Sequence, residues 1–158
     1  MTRSKLRENI FKIVFRASFF DKEEMPEQVQ EYMKDIEEEI EIKNSAEIAA
    51  DDAADDAADD IAAEEQNKDA EYIRTKADKI LEKKDEIDKL IEGAAKGWSL
   101  QRIGRAELAI LRVAVYEIKY DEDIPFKVAV NEALELSKKY CEPEAGGFIN
   151  GILSAFAS

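Results

Sequence analysis

Histidine is absent from the 158 residues, which removes the commonest metal ligand and the usual general base at neutral pH. Cysteine occurs once, at Cys141, so no internal disulfide can form, and zinc sites and Ser/His or Cys/His catalysis are excluded as well. No apolar run approaches the roughly 20 residues that span a bilayer. The basic N-terminus is not followed by a contiguous apolar stretch ending at a small-residue cleavage site, so a soluble cytoplasmic protein without a membrane role is expected. Strands are not expected either, because no β-branched alternation is punctuated by glycines. What is present is 45% apolar residues, enough for one domain over 1–158 with its own core.

Base is in short supply overall, and the formal net charge is −14. That value argues against nucleic acid until its distribution is read, because binding the phosphate backbone draws on lysine and arginine. Residues 1–20 carry five bases and one acid, residues 21–68 four bases and nineteen acids, and residues 69–158 fourteen bases and seventeen acids. Nearly all the acidity therefore lies in one stretch. Within it, Asp51-Asp-Ala-Ala-Asp-Asp-Ala-Ala-Asp-Asp has no base and only alanine as an apolar residue. Such a tract repels itself and buries too little to offset its ordering entropy, so 44–68 is read as a disordered or marginally helical acidic insertion. A divalent metal needs convergent oxygens in fixed geometry, which the repeat does not supply. Diffuse counterion attraction fits it better. Paired Asp and Glu elsewhere are read as solvated helix faces, and neither catalytic residues nor a cofactor is expected.

The apolar periodicity is helical throughout. Leu6, Ile10, Ile13, Ala17 and Phe20 step by three and four along a first helix, and Phe11, Phe15 and Phe19 run beside them, so this helix packs between two other elements. Lys5, Lys12 and Arg16 share its polar side, while Arg3 and Arg7 fall near the N-terminal end of the buried stripe. Pro26 and Pro125 suit the first turns of further helices. Residues 105–119 are apolar almost all round, which belongs at the centre of a fold. A last helix begins near Glu144 or Ala145.

Two stretches are more specific than generic helix. They are Trp98-Ser-Leu-Gln-Arg-Ile-Gly-Arg-Ala-Glu-Leu-Ala-Ile-Leu-Arg112-Val-Ala-Val-Tyr-Glu117 and Ile124-Pro-Phe-Lys-Val-Ala-Val-Asn131-Glu-Ala-Leu-Glu-Leu-Ser-Lys138, closed by Phe148-Ile-Asn-Gly-Ile-Leu153. In order and spacing they resemble the C-terminal half of the NusB family of transcription antitermination factors, strongly over 98–153 and more weakly over 3–20. The resemblance implies an all-α compact bundle of about seven helices in two roughly perpendicular subdomains. It also implies a non-enzymatic function: binding boxA-type single-stranded RNA of ribosomal RNA leaders as a heterodimer with NusE, a ribosomal small-subunit protein, in the RNA polymerase antitermination complex.

By the same resemblance, the basic end of the first helix meets RNA through Arg3, Lys5 and Arg7, with Tyr140, Glu144 and Phe148 as further candidates near the last two helices; Lys12 and Arg16, on the polar side of the first helix, are RNA-binding candidates from their place on that face. Glu107 would face NusE. The N-terminus carries fewer bases than many NusB chains, which favours dependence on the partner. One or more of Arg102, Arg105 and Arg112 is expected to be a structural arginine paired with Glu117, Glu132 or Glu135. Asn131 is expected to satisfy backbone near Trp98. Two other functions remain open: a protein-only adaptor that has lost RNA binding, and a NusB-like accessory domain of an RNA-modifying system.

Overall fold

The computed structural model describes residues 1–50 and 56–157. Among them the chain forms seven α-helices and no strand: α1 (Arg3–Ala17), α2 (Met25–Ala50), α3 (Asp56–Glu82), α4 (Lys84–Ala94), α5 (Arg105–Tyr120), α6 (Phe126–Tyr140) and α7 (Ala145–Ser154). A short 3-10 turn, Leu100–Arg102, lies between α4 and α5. No described helix is long and apolar enough to cross a membrane. The Thr2 hydroxyl caps α1 by accepting from the Lys5 backbone N–H at 3.1 Å. Pro125 precedes α6, as its fixed φ suits. The helix α4 ends where Lys96 and Gly97 take positive φ values of 36° and 93°.

Helix α5 is the centre. Every residue from Leu108 to Glu117 is buried, and α1, α3, α4, α6 and α7 all pack on it. Helix α1 packs against α2, α3 and α5, neighbours enough to cover two apolar lines. Ile10, Ile13, Val14 and Ala17 face the core. Along the second line, Phe11 stacks on Phe15 at 6.0 Å and Phe15 meets Phe19 edge-on at 5.2 Å. Of the stretch 44–68, residues 44–50 belong to α2 and 56–68 to α3, and 51–55 lie outside the described residues. Alanine, the strongest helix former, recurs in both helical segments.

The structural arginine of the motif stretch is Arg112, but its partner is not one of the three glutamates expected. Its Nε and Nη2 donate to Asp88 Oδ1 and Oδ2 at 2.8 and 3.0 Å, joining α5 to α4. Asp88→Ala would leave that buried guanidinium without its carboxylate. We expect a loss of about 1–3 kcal/mol, read as a lower midpoint in urea denaturation. Asn131 also differs from expectation. It is exposed on α6 and lines the α6–α7 groove instead of serving the backbone near Trp98.

Candidate nucleic-acid interface

The basic residues of α1 do not act as one set, because the fold assigns them different partners. Lys5, Glu8 and Lys12 stand three and four residues apart on one helical face. The last turn of α6 lies against that face and adds Lys139 and Tyr140. Glu8 becomes the hub: Lys139 Nζ donates to its Oε1 at 2.8 Å and the Tyr140 hydroxyl at 2.5 Å, with Lys12 Nζ at 3.7 Å and Lys5 Nζ at 3.8 Å. The carboxylate is mostly covered, at 12% exposure, whereas the ammonium-bearing side chains are 40–58% exposed. Three outward lysines around one inward carboxylate leave a surface of net positive charge.

Burial would raise the Glu8 pKa, yet the hydrogen bonds from Lys139 and Tyr140 and the Lys5 charge outweigh it, carrying the carboxyl down to about 2. Tyr140 is pushed the other way, to about 12, by burial and by its bond to that anion. A carboxyl lowered on folding adds stability that is fully present above its ordinary pKa of 4.5 and is lost as pH falls toward about 2. A Glu8→Gln chain should therefore show a flatter loss of stability between those pH values than the parent, measured by urea denaturation at stepped pH.

Arg7 corrects an expectation. It was read as an RNA contact, but its side chain is 7% exposed and its guanidinium grips Glu117 bidentately, Nε to Oε1 and Nη2 to Oε2, both at 2.7 Å. Glu132 stands 3.5 Å from Nη1. Burial works against the charge, and Glu117 more than offsets this, so the Arg7 pKa is raised. The two N–H groups that hold Glu117 could turn to a phosphate only by breaking this buried pair. Arg16 also leaves the lysine group: it donates to Gln28 and Glu31 of α2 at 3.1 Å, with Asp35 at 3.8 Å. Arg3 is exposed on a different flank, at the mouth of a cavity with Tyr72 and Asp123.

Near the last helix, Glu144 is exposed immediately before α7. Phe148 is half-buried, with its ring 5.9 Å from Trp98 in an edge-on contact. Glu107 sits in the first turn of α5, its carboxylate occupying the space a side chain at Gly104 would need. The Cys141 thiol is pushed up to about 11, first by burial and then by the Glu107 charge, which favours its protonated form.

The family model for the NusB family matches residues 27–158. The chain is 41% identical over 157 residues to the transcription antitermination protein NusB of Agathobacter rectalis, covering 99% of this chain and 100% of that one. It belongs to the NusB family. A second relative, NusB of Lachnoclostridium phytofermentans, is 38% identical over 98% of this chain and 97% of its own. The solved structure of T. maritima NusB superposes with a TM-score of 0.71 at 28% identity, covering 99% of this chain and 91% of that chain. NusB proteins are transcription antitermination factors, RNA-binding and not enzymes.

Within this NusB fold the sequence reading missed three residues. Lys139 and Glu8 meet across 131 positions, so no local pattern announces them. Trp98 served only to mark the motif, yet it is 52% exposed, beside Phe148.

Proposed function

We propose that this antitermination factor binds boxA-type single-stranded RNA of ribosomal RNA leaders as a heterodimer with NusE, within the RNA polymerase antitermination complex in the cytoplasm. The observation that carries the reading is the convergence of Lys5, Lys12 and Lys139 on one outward face of a strongly acidic chain. The first turn of α1 has no acid. Cations there oppose the helix macrodipole, so the helix start itself does not favour them. Exposed ammoniums at helical spacing suit the phosphates of a single strand, and Tyr140, Phe148 and Trp98 offer aromatic surface to its bases. Arg3, on the neighbouring flank of α1, adds a planar donor for a strand that continues past this face. Glu144 lies where the strand would pass the start of α7, and Glu107 on α5 faces the partner protein.

The test is affinity for boxA-type RNA against a scrambled RNA, with and without NusE, over a salt series. Preference for boxA RNA that strengthens with NusE is the expected result. No preference under either condition would overturn the reading and leave a protein-only adaptor or an accessory domain of an RNA-modifying system.

A further inference from the structure

Where α2 starts and α3 ends, the two helices leave a pocket of about 400 Å³ between them. It shares no residue with the lysine face, which α1 and α6 build. Each helix contributes positions three and four apart, Met25 and Val29 from α2 and Asp78, Leu81 and Glu82 from α3. The chemistry is divided between floor and rim. Met25 and Val29 close the floor, at 6% and 3% exposure, and Leu81 is half-buried in the wall. Asp78 and Glu82 are exposed on the rim, one helical turn apart, a spacing that sets their Cβ atoms about 5–6 Å from each other. Among the described residues neither carboxylate has an ion-pair partner. The neighbouring bases are engaged or turned elsewhere. Lys22, at one end of the pocket, pairs with Asp85 of α4. Lys83 holds its Nζ 3.8 Å from Glu86 and 4.5 Å over the Tyr120 ring, and Lys79 lines the cleft beside that ring. Burial holds the Asp78 carboxyl above its ordinary pKa; Arg74 offsets part of this and Glu82 adds to it. An approaching cation would relieve both effects.

We infer that this pocket docks a basic, apolar segment of a protein partner: an aliphatic side chain enters over Met25, Val29 and Leu81, and a flanking lysine or arginine pairs with Asp78 and Glu82. Charge complementarity selects that occupant. An RNA strand would bring phosphates against two unpaired carboxylates. A wholly apolar ligand would cover them without a counter-charge, and a bare polycation would leave the floor uncovered. The volume admits one or two side chains and not a folded element, so the segment crosses as extended chain or a single helical turn. Glu23, Glu24 and Glu27, all exposed beside Met25 and Pro26, continue the acidic surface for its remaining bases. The site is separate from Glu107 on α5, the residue placed toward NusE, and does not depend on the boxA reading.

The full chain, isotopically labelled, is titrated by NMR with three capped heptapeptides: two leucines flanked by lysines, the same peptide with glutamate for lysine, and the same with serine for leucine. The first should shift Met25, Val29, Asp78, Leu81 and Glu82. Serine for leucine should weaken it at least tenfold, the effect of losing a buried aliphatic side chain, and the glutamate peptide should not bind. Asp78→Asn with Glu82→Gln should weaken the first peptide about fivefold, the scale of two exposed charge pairs. Glu37→Gln with Glu38→Gln, which removes two exposed acids farther along α2, should leave its affinity unchanged. All four of these side chains are exposed, so an otherwise unchanged spectrum shows that the fold is kept. Equal weakening by the two double variants, or equal binding of the serine peptide, would mean diffuse attraction to an acidic chain and would overturn the site. Displacement of the peptide by boxA-type RNA or by NusE, or the same shifts on concentrating the chain alone, would also overturn it, by giving the pocket to nucleic acid, to NusE or to a second copy.

Discussion

Glu117→Ala is expected to cost about 3–5 kcal/mol, the range for removing one member of a buried ion pair, and to lower Tm by on the order of 10 °C in a chain of this size. Glu117 is 1% exposed and holds two cations at once, Arg7 from α1 and Lys76 from α3. Without it both would remain almost fully covered, at 7% and 6% exposure, with Glu132 at 3.5 Å from one and Asp121 at 3.4 Å from the other as their remaining counter-charges. Glu117→Gln keeps the shape and one acceptor but turns a donor toward the guanidinium, so it should recover only part of the loss. A chain in which Arg7, Lys76 and Glu117 are all made apolar should regain much more, since the desolvation of the charges disappears with their attraction. Urea midpoints for the four chains decide this. A Glu117→Ala chain within 1 kcal/mol of the parent would mean the network contributes little. The function is linked through position: the same network fixes the start of α1, which carries Lys5 and Lys12 of the lysine face. Its loss should weaken RNA binding without changing the salt slope.

Which parts of this were legible in the sequence follows from the range of the interactions. Helix α5 could be placed at the centre because its apolar residues occupy all sides, a property of sixteen consecutive residues. The two apolar lines of α1 likewise announced an interior helix, although it packs against three helices, α2, α3 and α5, and not two. The fate of each arginine was not legible, since it depends on what the fold brings opposite. Arg7 sits at the edge of the buried stripe, and a basic side chain there reads equally as a rim cation or a buried one. Glu117, 110 residues away, decides the matter. A structural arginine was expected among Arg102, Arg105 and Arg112 with one of three glutamates as its partner; the fold makes it Arg112 and supplies Asp88 from the preceding helix. Lys5 and Lys12 were recognised from local spacing. Their third partner, Lys139, comes from the other end of the chain, and so does the tyrosine that fixes the carboxylate between them.

Changing Lys5, Lys12 and Lys139 together to alanine should reduce affinity for boxA-type RNA on the order of 50-fold near 0.15 M salt, and flatten the plot of log affinity against log salt by about 2. Both figures follow from about 0.7 counterions released per single-strand phosphate contact for three contacts. Glu8 makes a sharper test because it should act with the opposite sign. Its carboxylate sits where a phosphate oxygen would, accepting from Lys139 and Tyr140 and drawing in Lys5 and Lys12. An RNA phosphate must therefore compete with an internal anion for the same ammoniums. Glu8→Gln removes the competitor, so RNA should bind several-fold more tightly with a steeper salt dependence, while the folded state loses the stability that the ionised carboxyl supplies above about pH 4.5. Tighter binding in a less stable protein cannot arise from general damage to the fold. If the triple lysine change leaves the salt slope unaltered and Glu8→Gln leaves affinity unaltered, the strand does not run over this face. The basic half of the interface would then have to lie with Arg3 alone.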